Sequence, residues 1–242
     1  MSTPSVITSS RLVGRTVVAP SLGLAEVVTR RSILPALLCA SLATLVYAGV
    51  LQTRIDVTST VDAGPATPDK PALTPHEVEE ALATAHKMAV VKAYAGAVAG
   101  PALTALGLAV ALWLGFAVSS RRPGFVPTLA VASYAQIPAA LAKLLTIPAL
   151  LSRTGVSPAD LDNLLPSHLA ALTGLGSPPA LVGVLSAVDL FSLWALVLVV
   201  LGMRIVSGTS IVRAAATVVV LWLAYVGVVD VALPALLAGG PK

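Results

Sequence analysis

An all-α, polytopic transmembrane bundle of five helices is the fold class this sequence predicts, and three observations predict it. The 242 residues are 57% hydrophobic and 11% charged, with a mean hydropathy of +0.92, whereas an ordinary soluble domain carries roughly 25% charged residues. Five stretches, 32–51, 94–118, 126–151, 179–205 and 211–238, reach the about 20 apolar residues a helix needs to cross the hydrocarbon core. The charge between those stretches changes sign from one loop to the next. Ala, Leu and Val dominate and aromatics are only 4%, a composition suited to closely packed helices rather than a barrel.

The loop charges set an orientation. Arg11, Arg15, Arg30 and Arg31 precede the first span, Arg121 and Arg122 separate the second from the third, and Arg204 and Arg213 flank the turn between the fourth and fifth. Glu26 is the one acid on that side. The opposite side carries Asp56, Asp62, Asp69, Glu77, Glu79, Glu80, Asp160 and Asp162. The positive-inside rule then makes the segment 1–31 cytoplasmic and the tail 239–242 exterior.

Within 1–31, Leu22, Ala25 and Val28 share a face of a short interfacial helix resting on the leaflet ahead of Arg30-Arg31. A disordered tail is an equal alternative for residues 1–15. The start of the first span, Thr29-Arg-Arg-Ser-Ile-Leu34, is like a twin-arginine export signal, with Val46-Tyr-Ala48 as a cleavage site. Cleavage would leave four spans whose loops still alternate; retention of the span is the preferred reading. The single cysteine, Cys39, excludes an intrachain disulfide.

An exterior loop and helix occupy 52–93. Gly64-Pro65, Pro68 and Pro71 mark a turn-rich linker. Thr74-Pro-His-Glu77 supplies a cap, a proline at the first helical position and a glutamate three residues after the cap, which is a capping box. The amphipathic helix that follows places Val78, Ala81, Leu82, Ala85 and Met88 on one face, before the second span. In that span Gly96, Gly100 and Thr104 form a small-residue ridge for packing inside the bundle or against a second copy. Pro101, Pro138, Pro148 and Pro234 each free a backbone carbonyl and predict kinks.

Several function classes drop out. The net charge of +4 comes from dispersed basic residues, which is not the patch a nucleic-acid binder presents. His76, Glu79, Glu80 and His86 lack the spacing of a defined metal site. No span pairs a serine with a histidine, and no glycine-rich phosphate loop is present. His168 stands alone in the loop 152–178 and is expected to be exposed. No enzyme activity, cofactor or metal is expected; the bilayer is the first partner, with other membrane proteins or a second copy as further ones.

Three ionisable residues fall inside spans: Lys143, Asp189 and Asp230. Each costs about 2.5–3.5 kcal/mol at the bilayer centre on insertion scales. Counting 1.5 Å per residue, all three lie roughly 12 to 15 Å below the outer boundary. Ser133, Gln136, Ala140 and Lys143 share a helical face, so Gln136, Lys143, Asp189 and Asp230 form an expected polar cluster. Lys143 pairs with Asp189, Asp230 or both. The cluster is either polar glue that fixes helix order or a polar path for a proton, ion or solute.

Ala19-Pro-Ser21, Glu26, Ile33-Leu-Pro35, the Thr74-Pro-His-Glu77 helix and Ser133-Tyr-Ala-Gln-Ile-Pro138 resemble the YIP family in its bacterial branch. The resemblance is most specific in Asp189-Leu-Phe-Ser-Leu-Trp-Ala-Leu-Val-Leu-Val-Val-Leu-Gly202, with Asp189, Phe191, Trp194 and Gly202 as its motif. It runs from about Arg15 to Leu237. The family comprises five-span membrane proteins named for eukaryotic members that interact with Ypt/Rab GTPases. The Asp-Leu-Tyr-Gly-Pro motif and long cytoplasmic N-terminal region of those members are absent, so the resemblance does not extend to a GTPase partner. It implies a multi-pass protein of the bacterial inner membrane, with the N-terminus cytoplasmic and the C-terminus outside. The expected function is non-enzymatic membrane organisation or partner recruitment; the alternative is a small transporter or channel component using the Lys/Asp/Gln path.

Overall fold

Five helices long and apolar enough to cross a membrane form the bundle in the computed structural model: Leu34–Gln52, Pro75–Val118, Phe125–Leu151, Leu190–Ser207 and Ile211–Val229. The structure describes residues 6–56, 58, 74–119, 122–157, 161, 164–165, 167–172 and 178–233. The linker prolines Pro65, Pro68 and Pro71, kink candidate Pro234, the tail 239–242 and the side chain of Asp230 lie outside what is described.

The chain begins with α1 (Val6–Val18) and α2 (Pro20–Arg30), which fold back on each other. Their contact is close because residue 23 is glycine: a Cβ there would stand 2.6 Å from the Thr16 Cα. The short helix expected before the first span forms as α2 and packs on the bundle through a face centred on residues other than Leu22, Ala25 and Val28. Gly23, Leu24 and Val27 are its buried residues, Leu22 is 57% exposed, and α2 packs on α5 (Phe125–Tyr134) and α8 (Leu190–Ser207). Leu24 and Val27 join Ala130, Tyr134 and Leu198 in one core, with Trp194 against it. A stripe of Leu and Val finds better shape complementarity against the small residues of α5 than against lipid, since close packing is what drives association in a bilayer. Glu26, the lone acid on this side, accepts ion pairs at 3.0 Å from both Arg15 and Arg30. At the end of α2, Arg31 takes a left-handed conformation (φ 51°), and the amides of Arg31 and Ser32 bond back to Val28 and Val27 carbonyls.

Next comes α3 (Leu34–Gln52), and then α4, a single helix from Pro75 to Ser119. The exterior helix and the second span are continuous. At 45 residues α4 is about 67 Å long, twice the roughly 30 Å of a hydrocarbon core. Its start is the capping box: the Thr74 backbone N–H donates to Glu77 Oε2 at 2.7 Å, and the Glu77 N–H donates to Thr74 Oγ1 at 3.3 Å. The face α4 packs inward is Ala97, Pro101, Ala105, Ala109, Leu112 and Phe116. The Gly96, Gly100, Thr104 ridge is one residue off this face, and a Cβ at Gly96 or Gly100 would meet no atom within 4 Å. The ridge borders an open cleft, so close helix approach is not its role within the chain.

The third span is two helices, α5 and α6 (Ile137–Leu151), parted at Ala135–Gln136. Pro138 cannot donate to the Tyr134 carbonyl, and its ring crowds that position. In the fourth stretch, 179–205 also divides: α7 (Pro179–Ser186) ends before Val188, and α8 begins at Leu190. Last is α9 (Ile211–Val226), running into a π-helical turn, Gly227–Ala232, which packs against α7. A Cβ on Gly202 would stand 2.5 Å from Val131 Cγ1, so this glycine lets α8 cross α5 closely.

Candidate functional site: a polar cavity at the far end of the bundle

The ends of α3 and α6 farthest from the N-terminal hairpin are tied together by backbone. Asp56 N–H donates to the Val156 carbonyl and Val156 N–H to the Arg54 carbonyl, each at 2.9 Å, a parallel bridge between Ile55 and Val156. Leu51, Leu150, Val156 and Leu164 pack beneath it. In the adjoining turn, the backbone N–H and hydroxyl of Thr58 hold the Asp56 carboxyl below its usual range. A separate cavity of about 470 Å³ is lined by residues of α3, α6, the α7–α8 break and the segment around His168.

Asp189 enters the cavity from the break between α7 and α8. Its backbone is extended (φ −128°, ψ 165°), and its side chain is the N-cap of α8. Oδ1 accepts the N–H groups of Phe191 at 2.8 Å and Ser192 at 3.1 Å, and Oδ2 accepts the Ser192 hydroxyl. The first amides of a helix have no intrahelical partner, and a carboxylate there also meets the positive end of the helix dipole. The expectation that Asp189 lies well inside a continuous span is therefore corrected. It sits at a helix end, where its carboxylate accepts two amides that the start of α8 leaves without an intrahelical partner.

Lys143 on α6 lines the same cavity. Its Nζ donates to Thr44 Oγ1 on α3 at 3.2 Å, and that hydroxyl donates onward to the Ala40 carbonyl at 2.8 Å. The ion pair expected between Lys143 and Asp189 is not formed: the ion pairs among the described residues all converge on Glu26. Both charges border one space without touching. Gln136, one of the two residues that part α5 from α6, faces a second cleft of about 120 Å³ with Gly96, Gly100, Thr104 and Lys143. Lys143 thus borders both spaces. Asp230 is in the π turn by its backbone.

Other residues of the cavity do not stand out in the sequence. His168, expected to be an exposed loop histidine, is partly buried; it forms an antiparallel bridge with Asp189, and its Nδ1 is buried with no hydrogen-bond partner among the described residues. Tyr47, Thr146 and Phe191 complete the walls used below. The threonines carry no sequence signal, since Thr44 and Thr146 each spend their hydroxyl hydrogen on the carbonyl four residues back, as helical threonines commonly do.

The motif residues of the fourth span each have a physical task. Asp189 caps the helix, Phe191 lines the cavity, Trp194 packs on the core that holds α2, and Gly202 admits Val131.

The sequence model of the Yip1 domain matches residues 15–232 of the chain. Neither the curated proteins nor the solved structures contain a match to it.

Proposed function

This chain belongs to the Yip1 domain family, and from that premise we propose that it is a non-enzymatic, membrane-organising protein that recruits other membrane proteins or a second copy of itself. One observation carries the reading. The stretch 75–96 of α4 contains no buried residue, yet Met88, Val91 and Tyr94 stand 66%, 58% and 40% exposed along one side of the helix. A long helical shaft with no fully buried residue leaves apolar surface open to a partner in or at the membrane. The polar groups support the same reading, because Asp189 is engaged by its own helix and Lys143 by Thr44. The arginines at the N-terminal end support a cytoplasmic N-terminus, an exterior C-terminus and, with the family resemblance, a bacterial inner membrane.

The second reading, a transport component, is favoured by Lys143 bordering both cavities. Gln136→Cys separates the two. Native Cys39 is exposed, so the variant is made in a Cys39→Ser background and treated in membranes with a water-soluble thiol reagent. An organising protein keeps position 136 unlabelled; labelling as fast as a loop cysteine overturns that reading in favour of a water-filled path.

A further inference from the structure

We infer that the 470 Å³ cavity is a binding site for a small zwitterion, a molecule bearing an ammonium and a phosphate or carboxylate a short spacer apart, with the anion on Lys143 and the ammonium on Asp189. The volume lies within the about 300–1,000 Å³ of small-molecule sites. Its polar equipment is built by separate elements: Lys143 and Thr146 from α6, Asp189 from the cap of α8, His168 from the returning loop and Tyr47 from α3.

Opposite charges that border one space ordinarily close on each other, and here they do not. Lys143 has three N–H donors and places one on Thr44. Asp189 has room for about four donors; three are supplied by Phe191 and Ser192. Each charge thus retains bonding capacity beyond the contacts it makes within the chain. A simple anion would satisfy Lys143 while facing the Asp189 carboxylate, and a simple cation would do the reverse. Only a ligand with both charges is attracted at both ends. Phe191 and Tyr47 supply apolar surface for the spacer. The same chemistry occurs in a phosphatidylethanolamine headgroup and in a free, water-soluble zwitterion.

The test uses the full chain in nanodiscs of phosphatidylglycerol alone, titrated with glycerophosphoethanolamine, with glycerophosphate, and with ethanolamine, reading saturable binding by calorimetry. A parallel set of nanodiscs contains increasing phosphatidylethanolamine, reading the shift in melting temperature. Saturable binding of the soluble zwitterion at least tenfold tighter than either half supports the inference and identifies a water-facing source. Saturable stabilisation by the lipid alone supports it and identifies a headgroup. Asp189→Asn, which keeps a capping oxygen, and Lys143→Gln are each expected to weaken binding at least tenfold, while Lys143→Arg retains it. Equal affinity for glycerophosphate and glycerophosphoethanolamine overturns the zwitterion, and so does the absence of saturable response to both the soluble and the lipid form. The comparison of ligands uses the wild-type chain only, so its outcome holds whether or not a variant folds.

Discussion

Asp189 caps a helix that starts there, which gives its carboxylate amide partners within an apolar stretch. Two of the orphan amides of α8 end on its Oδ1, and loss of an N-cap oxygen costs about 0.5–2 kcal/mol in proteins. Asp189→Ala is therefore expected to lower the melting temperature in detergent while Asp189→Asn, an equivalent cap, stays close to wild type. Equal loss in both would mean that the charge and not the cap stabilises the fold. The residue is visible in sequence as an anomaly, and its role is also written there: Asp189 and Ser192 have the cap-to-third-residue spacing of a helix start. Hydropathy alone reads past such a signal, because a break of two residues barely alters an apolar window of 18 or more. Lys143 differs. Its place on α6 follows from periodicity, but its partner Thr44 lies 99 residues away, and a threonine hydroxyl leaves no pattern by which to find it.

At the scale of elements, capping chemistry is the most legible feature and helix contacts the least. Thr74-Pro-His-Glu77 starts α4 by the reciprocal bonds its spacing dictates. Where α4 packs is not legible, since Ala97, Pro101, Ala105 and Ala109 and the neighbouring Gly96, Gly100, Thr104 ridge are both rows of small residues. Only the partner helices decide between them. Glycines at the two kinds of position should respond oppositely to alanine. At Gly202 the added Cβ would collide with Val131, whose β-branched side chain has one favoured rotamer in a helix; overpacking of this kind costs about 1–3 kcal/mol. At Gly96 the methyl meets nothing, and Gly→Ala at an unstrained helical site stabilises by about 0.4–1 kcal/mol. Thermal unfolding in detergent should show Gly202→Ala melting lower than wild type and Gly96→Ala at or above it. A reversed order would mean that the ridge, not Gly202, is the tight crossing.

The whole molecule is a five-helix bundle whose class follows from composition and span length alone. What composition conceals is that the bundle has a plug: the hairpin of α1 and α2 fills the space between α5 and α8. The amphipathic pattern identifies a helix but not its neighbour, because an apolar stripe bounded by arginines fits a leaflet as well as a groove. The two placements make opposite demands on neighbouring leucines. A helix resting on lipid would depend on Leu22, the exposed residue, whereas a docked helix depends on Leu24, which is fully buried. Truncating a buried leucine to alanine costs about 2–5 kcal/mol, and surface substitutions usually stay within about 0.5 kcal/mol. Leu24→Ala should thus lower the melting temperature of the entire bundle, in detergent and in nanodiscs alike, and should open α1 and α2 to protease at Arg15 and Arg30, while Leu22→Ala leaves both readings at the wild-type value. Should Leu22→Ala instead release the hairpin to protease in nanodiscs and Leu24→Ala be silent, the hairpin belongs to the lipid surface, and Tyr134 and Leu198 must be covered by something other than α2.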